Sequence, residues 1–92
     1  MAYAGLADAY FILAFWGWYP HAEGLSKGKE YALKALSLDN DLAEAHTVLA
    51  GIASFQANWE VAEKEFKHAI ELNPNYATAH LYYSDYFYET LL

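Results

Sequence analysis

A repeat with a period of 34 residues constrains the fold of this chain more than any other feature. Residues 38–46 read LDNDLAEAH and residues 72–80 read LNPNYATAH, so Leu, two Ala and His recur 34 positions apart. Upstream, residues 34–36 (KAL) fall in the same register as residues 68–70 (HAI). A fixed period of this length indicates one supersecondary unit stacked on copies of itself, and 34 is typical of a helix–turn–helix unit. The sequence therefore predicts an all-α fold.

Composition limits the size of the fold and the classes of ligand. The chain has 92 residues, which is enough for one small domain. It is 57% hydrophobic and 18% aromatic, which argues against disorder and favours some apolar surface that faces a partner. The absence of cysteine excludes disulfides and thiolate metal sites. The net charge of −7 makes nucleic acid and anionic membranes unexpected ligands.

The termini and the apolar runs carry no targeting signal. The longest apolar run, residues 10–19, is about half of the ~20 residues that a membrane helix needs. A basic start and a small-residue cleavage site are both missing, so we expect no signal peptide and a cytoplasmic location. Met1 is followed directly by a sequence that reads like the middle of a helix. This pattern favours an initiator methionine added to an excised fragment.

The hydrophobic periodicity predicts about five helices. Gly17, Pro20 and Gly24 break the first helix and predict a connection over residues 17–25. Ser26 is then the expected N-cap of the second helix, Asn58 that of the fourth, and Pro74 stops the fourth. The third helix opens at a capping box formed by residues 41 and 44. The predicted helices cover residues 2–16, 27–38, 41–56, 59–72 and 75–92.

Residues 43–76 resemble one full tetratricopeptide repeat (TPR). The family has a small residue where the first helix crosses the second, and Ala50 stands there. It has Ala, an aromatic residue and Ala along the second helix, and Ala62, Phe66 and Ala69 match them. Pro74 matches the proline that closes a repeat. The resemblance implies a short superhelix of antiparallel helix pairs.

The rest of the chain resembles the family less completely. Residues 77–92 resemble the first helix of another repeat, and residues 1–42 resemble a repeat with a longer connection between its helices. Ala32 stands where the second helix usually has its aromatic residue, and Asn40 stands where the closing proline would be. We therefore expect one TPR-like domain over residues 1–92, with two and a half repeats. Residues 3–10 and 75–80 also resemble repeats that follow output domains in bacterial regulators and nucleotide cyclases.

The resemblance implies a concave groove, lined by the first helices, that binds an extended peptide or a partner helix. Acidic and aromatic residues at the matching positions favour a basic or amphipathic partner. The alternative is a face that is only solvated. The expected groove residues are Asp8, Phe11, Phe15, Glu44, Thr47, Gly51, Ser54, Phe55, Thr78, Leu81, Asp85, Tyr88 and Glu89.

Lysines are absent from the predicted groove. Chaperone-binding members of the family clamp a terminal carboxylate with basic residues of the groove helices. The lysines of this chain all fall on the predicted second helices, which argues against such a clamp. They are Lys27, Lys29, Lys34, Lys64 and Lys67.

Chemistry-bearing residues are present, but their pattern predicts no enzyme, metal or cofactor. His46 and His80 lie one repeat apart, which places them roughly 10 Å or more from each other, so we interpret them as packing residues between helices. His21 and His68 read as surface residues. The acidic residues read as a solvated helix face with lysine partners and as turn chemistry. They are Glu60, Glu63, Glu65, Asp39 and Asp41.

Two further apolar segments are expected either to bind a partner or to be covered by other residues of the chain. Trp16 and Trp18 could anchor a partner, but we favour packing over the end of the first helix pair. The predicted last helix presents an apolar edge that its own repeat does not cover, which predicts self-association and a possible homodimer. The alternative is that Leu92 and its neighbour fold back over that edge. The edge residues are Tyr83, Tyr86, Phe87 and Leu91.

These observations favour a protein-interaction module that acts by binding alone. We expect it to belong to a larger bacterial signalling or regulatory protein, with a protein or peptide as its partner. The competing hypothesis is a structural element that serves oligomerisation through its last helix. The sequence does not identify the partner.

Overall fold

The described part of the computed structural model covers residues 3–76 and is all-α. It contains four helices, namely α1 (Tyr3–Phe15), α2 (His21–Leu38), α3 (Ala43–Phe55) and α4 (Trp59–Leu72). The sequence predicts about five, and residues 77–92, which carry most of the fifth, lie outside the described residues. Within residues 3–76 there is no β-strand.

The helices are arranged in two consecutive pairs. Residues 16–20 join α1 to α2, and residues 56–58 join α3 to α4. Such short connections place consecutive helices side by side. The closest contacts are within the pairs, α1 with α2 and α3 with α4, and α2 and α1 both contact α3. The second pair therefore stacks on the first, with the two first helices next to each other.

Helix α2 begins six residues earlier than the sequence predicts, so the predicted connection over residues 17–25 is wrong. Pro20 is the N-cap with φ −51°, and the amide of Gly24 donates to its carbonyl oxygen at 2.8 Å. Gly24 is buried inside the helix, and a Cβ atom there would lie 2.6 Å from Cβ of Ala14. The glycine therefore allows α1 and α2 to approach closely instead of breaking the helix. Ser26, the expected N-cap, is exposed within the helix.

The first pair is longer than the second because α2 is longer than α4. Helices α1 and α3 each have 13 residues and begin at residues 3 and 43, whereas α2 and α4 end at residues 38 and 72. Helix α2 has 18 residues and α4 has 14, so about one helical turn is added to α2. The connections differ by only two residues, 16–20 against 56–58. The expected long connection is therefore largely helix.

Helix α1 ends in a Schellman motif. The amide of Gly17 donates to the carbonyl oxygen of Ala14 at 3.2 Å, and that of Trp18 donates to Leu13 at 2.9 Å. Gly17 has φ +76°, the left-handed conformation that this motif requires. The motif fixes the direction in which the chain leaves α1.

Helix α3 ends in the same way, although its left-handed residue is an alanine. Ala57 has φ +58°, and its amide donates to the carbonyl oxygen of Ser54 at 3.1 Å. The amide of Asn58 donates to Ala53 at 2.9 Å. Ala57 therefore stands where the first pair has Gly17, at a backbone conformation that disfavours a Cβ atom.

The core lies both between the two helix pairs and within the second pair, and it is built largely from alanine and two phenylalanines. Phe11 of α1 and Phe66 of α4 are fully buried. Phe66 packs with Ala50, Ala53 and Ala62 between α3 and α4. A larger cluster joins α1, α2 and α3, and its buried members are Ala7, Phe11, Ala14, Leu25, Ala32, Ala35, Ala45, Val48 and Ile52.

Candidate binding surface

Two of the expected groove residues, Phe11 and Gly51, are buried against each other instead of open to a partner. A Cβ atom at Gly51 would lie 2.4 Å from Cζ of the Phe11 ring, so the ring occupies the space that any other residue at position 51 would need. This contact holds α1 against α3. The interpretation of both as groove-lining residues is therefore wrong, because the packing of the first helices consumes them.

Thr47 and Ser54 are buried as well, and their hydroxyl groups are satisfied within α3. Thr47 Oγ1 donates to the carbonyl oxygen of Ala43 at 2.8 Å, and Ser54 Oγ donates to that of Ala50 at 3.0 Å. Buried hydroxyls that bond one turn back are no longer available to a ligand. These two positions also do not line an open groove.

Phe15 and Phe55 are exposed and form an aromatic end of the face made by α1 and α3. They are the last residues of the two helices, and 46% and 38% of their surfaces remain exposed. Their ring centroids lie 5.9 Å apart at 68°. Trp16 packs edge-on against Phe15 at 5.4 Å, and His21 packs edge-on against Phe55 at 5.0 Å. The expectation that His21 is an ordinary surface residue omits this contact.

Asp8 and Glu44 form an acidic region on the same two helices. Asp8 is half-buried, and its burial raises the pKa of its carboxyl, with the negative charge of Glu44 raising it further. Glu44 is exposed in the first turn of α3. Asp8 precedes Phe15 by seven residues, which is about 10 Å along the helix. The exposed part of the face thus has acidic groups at one position and aromatic rings at another.

An open cleft of about 430 Å³ adjoins the aromatic end. It lies between the start of α2 and the end of α3, and its volume falls within the ~300–1,000 Å³ range of ligand pockets. Its lining residues are His21, Ala22, Leu25, Ser26, Lys29, Phe55 and Gln56. The cleft is therefore shallow and lined by both apolar and polar side chains, and it extends the aromatic end beyond Phe55.

His46 is a buried packing residue, as expected from the sequence, but it also makes polar contacts that the sequence analysis missed. Its Nδ1 atom lies 2.8 Å from Oε2 of Glu65, and its Nε2 atom lies 3.0 Å from the carbonyl oxygen of Asn40. Its ring lies edge-on to His68 at 4.4 Å. Glu65 is therefore not part of a freely solvated face, because its carboxylate links α4 to α3. The available signal in the sequence was an acidic residue, Glu65, on the helix predicted to lie next to that of His46.

Trp16 and Trp18 are largely exposed, at 66% and 82%, so the preferred interpretation that they pack over the end of the first helix pair is wrong. The Schellman motif turns the chain away from α1 at Gly17, and α2 begins only at His21. Tyr19 is the residue of this turn that packs back, edge-on to Tyr10 at 5.5 Å.

A tyrosine stack between α1 and α2 was also missed. Tyr31 stacks on Tyr10 at 5.8 Å and on Tyr3 at 6.0 Å. Lys34 places its Nζ atom 5.5 Å from the centre of the Tyr31 ring, and Lys27 lies 5.8 Å from that of Tyr10. The seven-residue spacing of the two α1 tyrosines was a signal for one shared helix face. These cation–π contacts stabilise the first pair on its outer side.

The lysines lie where the sequence predicts them, on the second helices. Lys27, Lys29 and Lys34 belong to α2, and Lys64 and Lys67 belong to α4. Lys67 pairs with Glu63 at 2.9 Å on the exposed side of α4. The face made by α1 and α3 therefore carries no lysine within residues 3–76.

Two kinds of feature are absent from residues 3–76, a cluster of metal ligands and a membrane-spanning helix. In residues 3–76, no group of three or more His, Asp or Glu side chains could hold a metal ion. No helix of that part combines the length and the apolarity that crossing a bilayer requires.

The predicted sites on the last helix lie outside the described residues. This applies to the second histidine of the repeat, His80, to the expected self-association edge at Tyr83, Tyr86, Phe87 and Leu91, and to five of the expected groove residues. The latter are Thr78, Leu81, Asp85, Tyr88 and Glu89.

Two curated proteins are similar in sequence to this chain. The chain is 32% identical over 81 residues to the transcriptional regulator HilA of Salmonella typhimurium, and the same holds for HilA of Salmonella typhi. The match covers 88% of this chain, but the chain spans only about 15% of the length of these relatives. No protein-family model matches the chain, and no solved structure does.

Proposed function

We propose that this chain is a TPR-like interaction module that binds an extended peptide or a partner helix on the exposed part of the face made by α1 and α3. Several features support the TPR-like interpretation. The helices are paired, the first helices lie side by side, and Ala50, Ala62, Phe66 and Ala69 are all fully buried where the resemblance implies close packing. The module acts by binding and performs no chemistry.

The single observation that carries this proposal is the aromatic pair Phe15 and Phe55. Two phenylalanines at equivalent ends of adjacent helices, with their rings 5.9 Å apart, remain nearly half exposed. Rings exposed in this way lose water contact when an apolar side chain packs against them, which is the main source of binding free energy at such sites. The pair therefore forms the apolar anchor point of the proposed surface.

The acidic pair determines the proposed chemistry of the partner. Burial and Glu44 both disfavour the charged form of Asp8, so a cation placed beside it relieves an existing electrostatic penalty. An extended chain in the polyproline II conformation advances about 3.1 Å per residue and returns to the same face every three residues, so three residues cover the ~10 Å between Asp8 and Phe15 with both side chains on one face. The preferred ligand has Lys or Arg three residues away from an apolar or aromatic side chain.

The similarity to HilA supports the proposed biological setting. HilA is described as a transcriptional regulator, and this chain matches a small part of it. We place this chain in a larger bacterial regulatory protein of the cytoplasm, where the module connects regulation to a protein partner. The residues of this module would recognise the protein partner, while other parts of the larger protein would carry out the regulation.

Peptide binding tests this proposal. Fluorescence anisotropy is measured with labelled ten-residue peptides that carry Lys three residues before Phe, and with peptides that carry Glu in place of Lys. We expect the Lys peptides to bind, Asp8→Asn to weaken binding several-fold, and Phe55→Ala to weaken it about tenfold, the loss of one well-packed apolar contact. Leu33→Ala is the control, because Leu33 is half exposed on α2 and lines a cleft that contains neither the acidic pair nor the aromatic pair.

Two results would contradict the proposal. One is equal affinity for Lys and Glu peptides. The other is unchanged affinity in Phe55→Ala. Circular dichroism of each variant verifies that the helices remain, and Phe55→Leu, which keeps an apolar side chain, should retain most of the affinity.

A further inference from the structure

We infer that the cleft between α2 and α3 selects an acidic residue in the bound peptide, so that the partner carries Lys or Arg on one side of its apolar anchor residue and Asp or Glu on the other. The cleft is the one of about 430 Å³ that adjoins Phe55. The peptide is that of the proposed function, on which this inference rests. The cleft adds a second charged position to a ligand that is otherwise defined by the acidic pair and the aromatic pair.

The cleft is continuous with the aromatic end. Phe55 belongs to both, and the ring of His21, at the start of α2, lies 5.0 Å from the Phe55 ring. A peptide whose anchor residue packs on Phe15 and Phe55 therefore has its next residues at the mouth of the cleft.

The polar lining of the cleft suits a negatively charged group. Among residues 3–76, this lining consists of His21, Ser26, Lys29 and Gln56, which can all donate a hydrogen bond, and it includes no carboxylate. None of these four side chains hydrogen-bonds to another residue of that part. Three other clefts there each include at least one Asp or Glu. In a chain with 12 acidic residues and 5 lysines, a cleft without a carboxylate offers an anion an attractive position.

The charge of Lys29 is available to a ligand. Lys29 is exposed, and it forms no ion pair with another residue of 3–76. Glu65 lines a neighbouring cleft together with Lys29, but its carboxylate lies 2.8 Å from His46. Glu30, the next residue in the sequence, lies 3.8 Å from Lys34. A carboxylate of the peptide would therefore not have to displace an acidic residue of the chain.

Lys29 lies at the end of the cleft that is farther from the aromatic pair. His21, Leu25 and Lys29 are spaced by four residues, so they follow one face of α2 over about 12 Å. Side chains on a helix lean toward its N-terminus, which brings the lysine ammonium group nearer to the aromatic end. At about 3.1 Å per residue, roughly three to five residues of an extended peptide cover this distance.

The two charged positions lie on opposite sides of the anchor. Helix α2 runs antiparallel to α1, because Gly24 lies against Ala14 whereas Gly28 lies against Ala7. A peptide that follows α1 from the acidic pair to the aromatic pair therefore turns there before it follows α2. An acidic residue on the same side of the anchor as the basic one would meet the acidic pair instead of Lys29.

Fluorescence anisotropy with C-terminally amidated peptides tests this inference, because amidation leaves Glu as the carboxylate. Every peptide carries Lys three residues before Phe. Three peptides have Glu three, four or five residues after Phe, and a fourth has Gln at all of these positions. We expect at least one Glu peptide to bind about two- to fivefold tighter than the Gln peptide, the usual effect of an exposed ion pair, and Lys29→Gln to abolish this difference.

Lys64→Gln is the matched control, because it removes the same charge from an exposed position on α4 that does not line the cleft. A peptide isomer with Glu on the Lys side of Phe keeps the composition and should bind no tighter than the Gln peptide. Far-UV circular dichroism verifies the fold of each variant.

Two outcomes would overturn the inference. One is equal affinity of the wild type for the Gln peptide and every Glu peptide. The other is a preference for Glu that persists in Lys29→Gln. The Gln peptide separates this inference from the proposed function: if it binds and Phe55→Ala weakens its binding, while Glu adds no affinity, only the inference fails. If none of the peptides binds, both fail.

Discussion

Gly17 and Ala57 occupy the same backbone position at the ends of two helices and differ by one methyl group. Both have positive φ, +76° and +58°, and both donate the Schellman hydrogen bond to the residue three positions earlier. Glycine adopts this conformation without strain, whereas an L-residue with a Cβ atom does so at about 1–2 kcal/mol. The second helix pair therefore retains a strain that the first pair lacks.

Exchanging the two residues tests this interpretation. Ala57→Gly should raise the free energy of unfolding by about 1 kcal/mol, and Gly17→Ala should lower it by a similar amount. A Cβ atom at Gly17 meets nothing within 4 Å, so a loss there reports on backbone conformation alone. Urea denaturation measures both. If the two substitutions change stability in the same direction, the assignment of strain to Ala57 is wrong.

Asp8 makes the stability of the chain depend on pH. Burial, reinforced by Glu44, raises the pKa of Asp8 in the folded state, so the folded chain binds its proton more tightly than the unfolded chain does. The resulting destabilisation is fully present above the raised pKa and disappears as the pH falls below the unfolded value of about 3.9. Asp8→Asn should therefore stabilise the chain at pH 7.

The pH profile distinguishes this effect from a general benefit of removing charge. The stability difference between Asp8→Asn and the wild type should shrink toward zero as the pH falls from 7 to about 4. Asp41→Asn is the control, because Asp41 is exposed in the turn between α2 and α3. Parallel curves for Asp8→Asn and wild type across this range would exclude Asp8 as the source.

At the scale of helices, the contact between Phe11 and Gly51 decides how close α1 and α3 lie. The ring fills the space above the glycine, and a Cβ atom at position 51 would lie 2.4 Å from it. The sequence alone places both residues on the first helices but cannot tell that one fills the gap left by the other. For the same reason the sequence predicts both as groove residues.

A double-mutant cycle measures this contact. Gly51→Ala should destabilise the wild type by about 1–3 kcal/mol through overpacking. In a Phe11→Leu background the smaller side chain leaves room, so the same substitution should become neutral or stabilising, since alanine favours a helix over glycine by about 1 kcal/mol. Denaturant titration of the four proteins gives the coupling free energy. An equal effect of Gly51→Ala in both backgrounds would show that the contact does not limit the packing.

His46 and Glu65 connect α3 to α4 by a hydrogen bond of 2.8 Å in a largely buried position. Glu65→Ala removes the partner of Nδ1 and should lower the free energy of unfolding by about 1–3 kcal/mol, the usual loss for a buried polar group left unpaired. Glu71→Ala, on the exposed side of the same helix, should change it by less than about 0.5 kcal/mol. Thermal denaturation followed by circular dichroism compares the two variants. Equal melting temperatures for the two variants would contradict the role assigned to Glu65.

The sequence predicts a helix end well where the hydrophobic spacing alone determines it. It predicts a helix end poorly where a close contact between two helices determines it. The ends of α2 and α4 agree with the prediction, because Asn40 and Pro74 lie in polar turns that end the hydrophobic pattern. The start of α2 does not, because Gly24 reads as a helix breaker until its contact with Ala14 is known. The sequence predicts Phe15 and Phe55 as groove residues, and both are exposed. It could not predict the contact of His21 with Phe55, because the wrong start of α2 placed His21 in a loop.

At the scale of the whole molecule, the net charge of −7 attracts a basic peptide from distances beyond the contact with Asp8. Salt screens this attraction, so raising NaCl from about 0.02 M to about 0.5 M should weaken binding of the Lys peptides.

Fluorescence anisotropy measured over this salt series tests the expectation. The acidic peptides serve as controls, because any binding they show should strengthen with salt instead of weakening. A Lys peptide whose affinity does not change with salt would contradict a role for the acidic pair.

The additional turn of α2 lies at its start, because α2 and α4 end 34 residues apart, at residues 38 and 72, but begin 38 residues apart, at residues 21 and 59. Helix α2 therefore spans about 27 Å and α4 about 21 Å. The first residues of α2 form one wall of the cleft of about 430 Å³ beside Phe55. A shorter α2 would open the cleft on that side, so the length of one helix sets how far a ligand at Phe55 is enclosed.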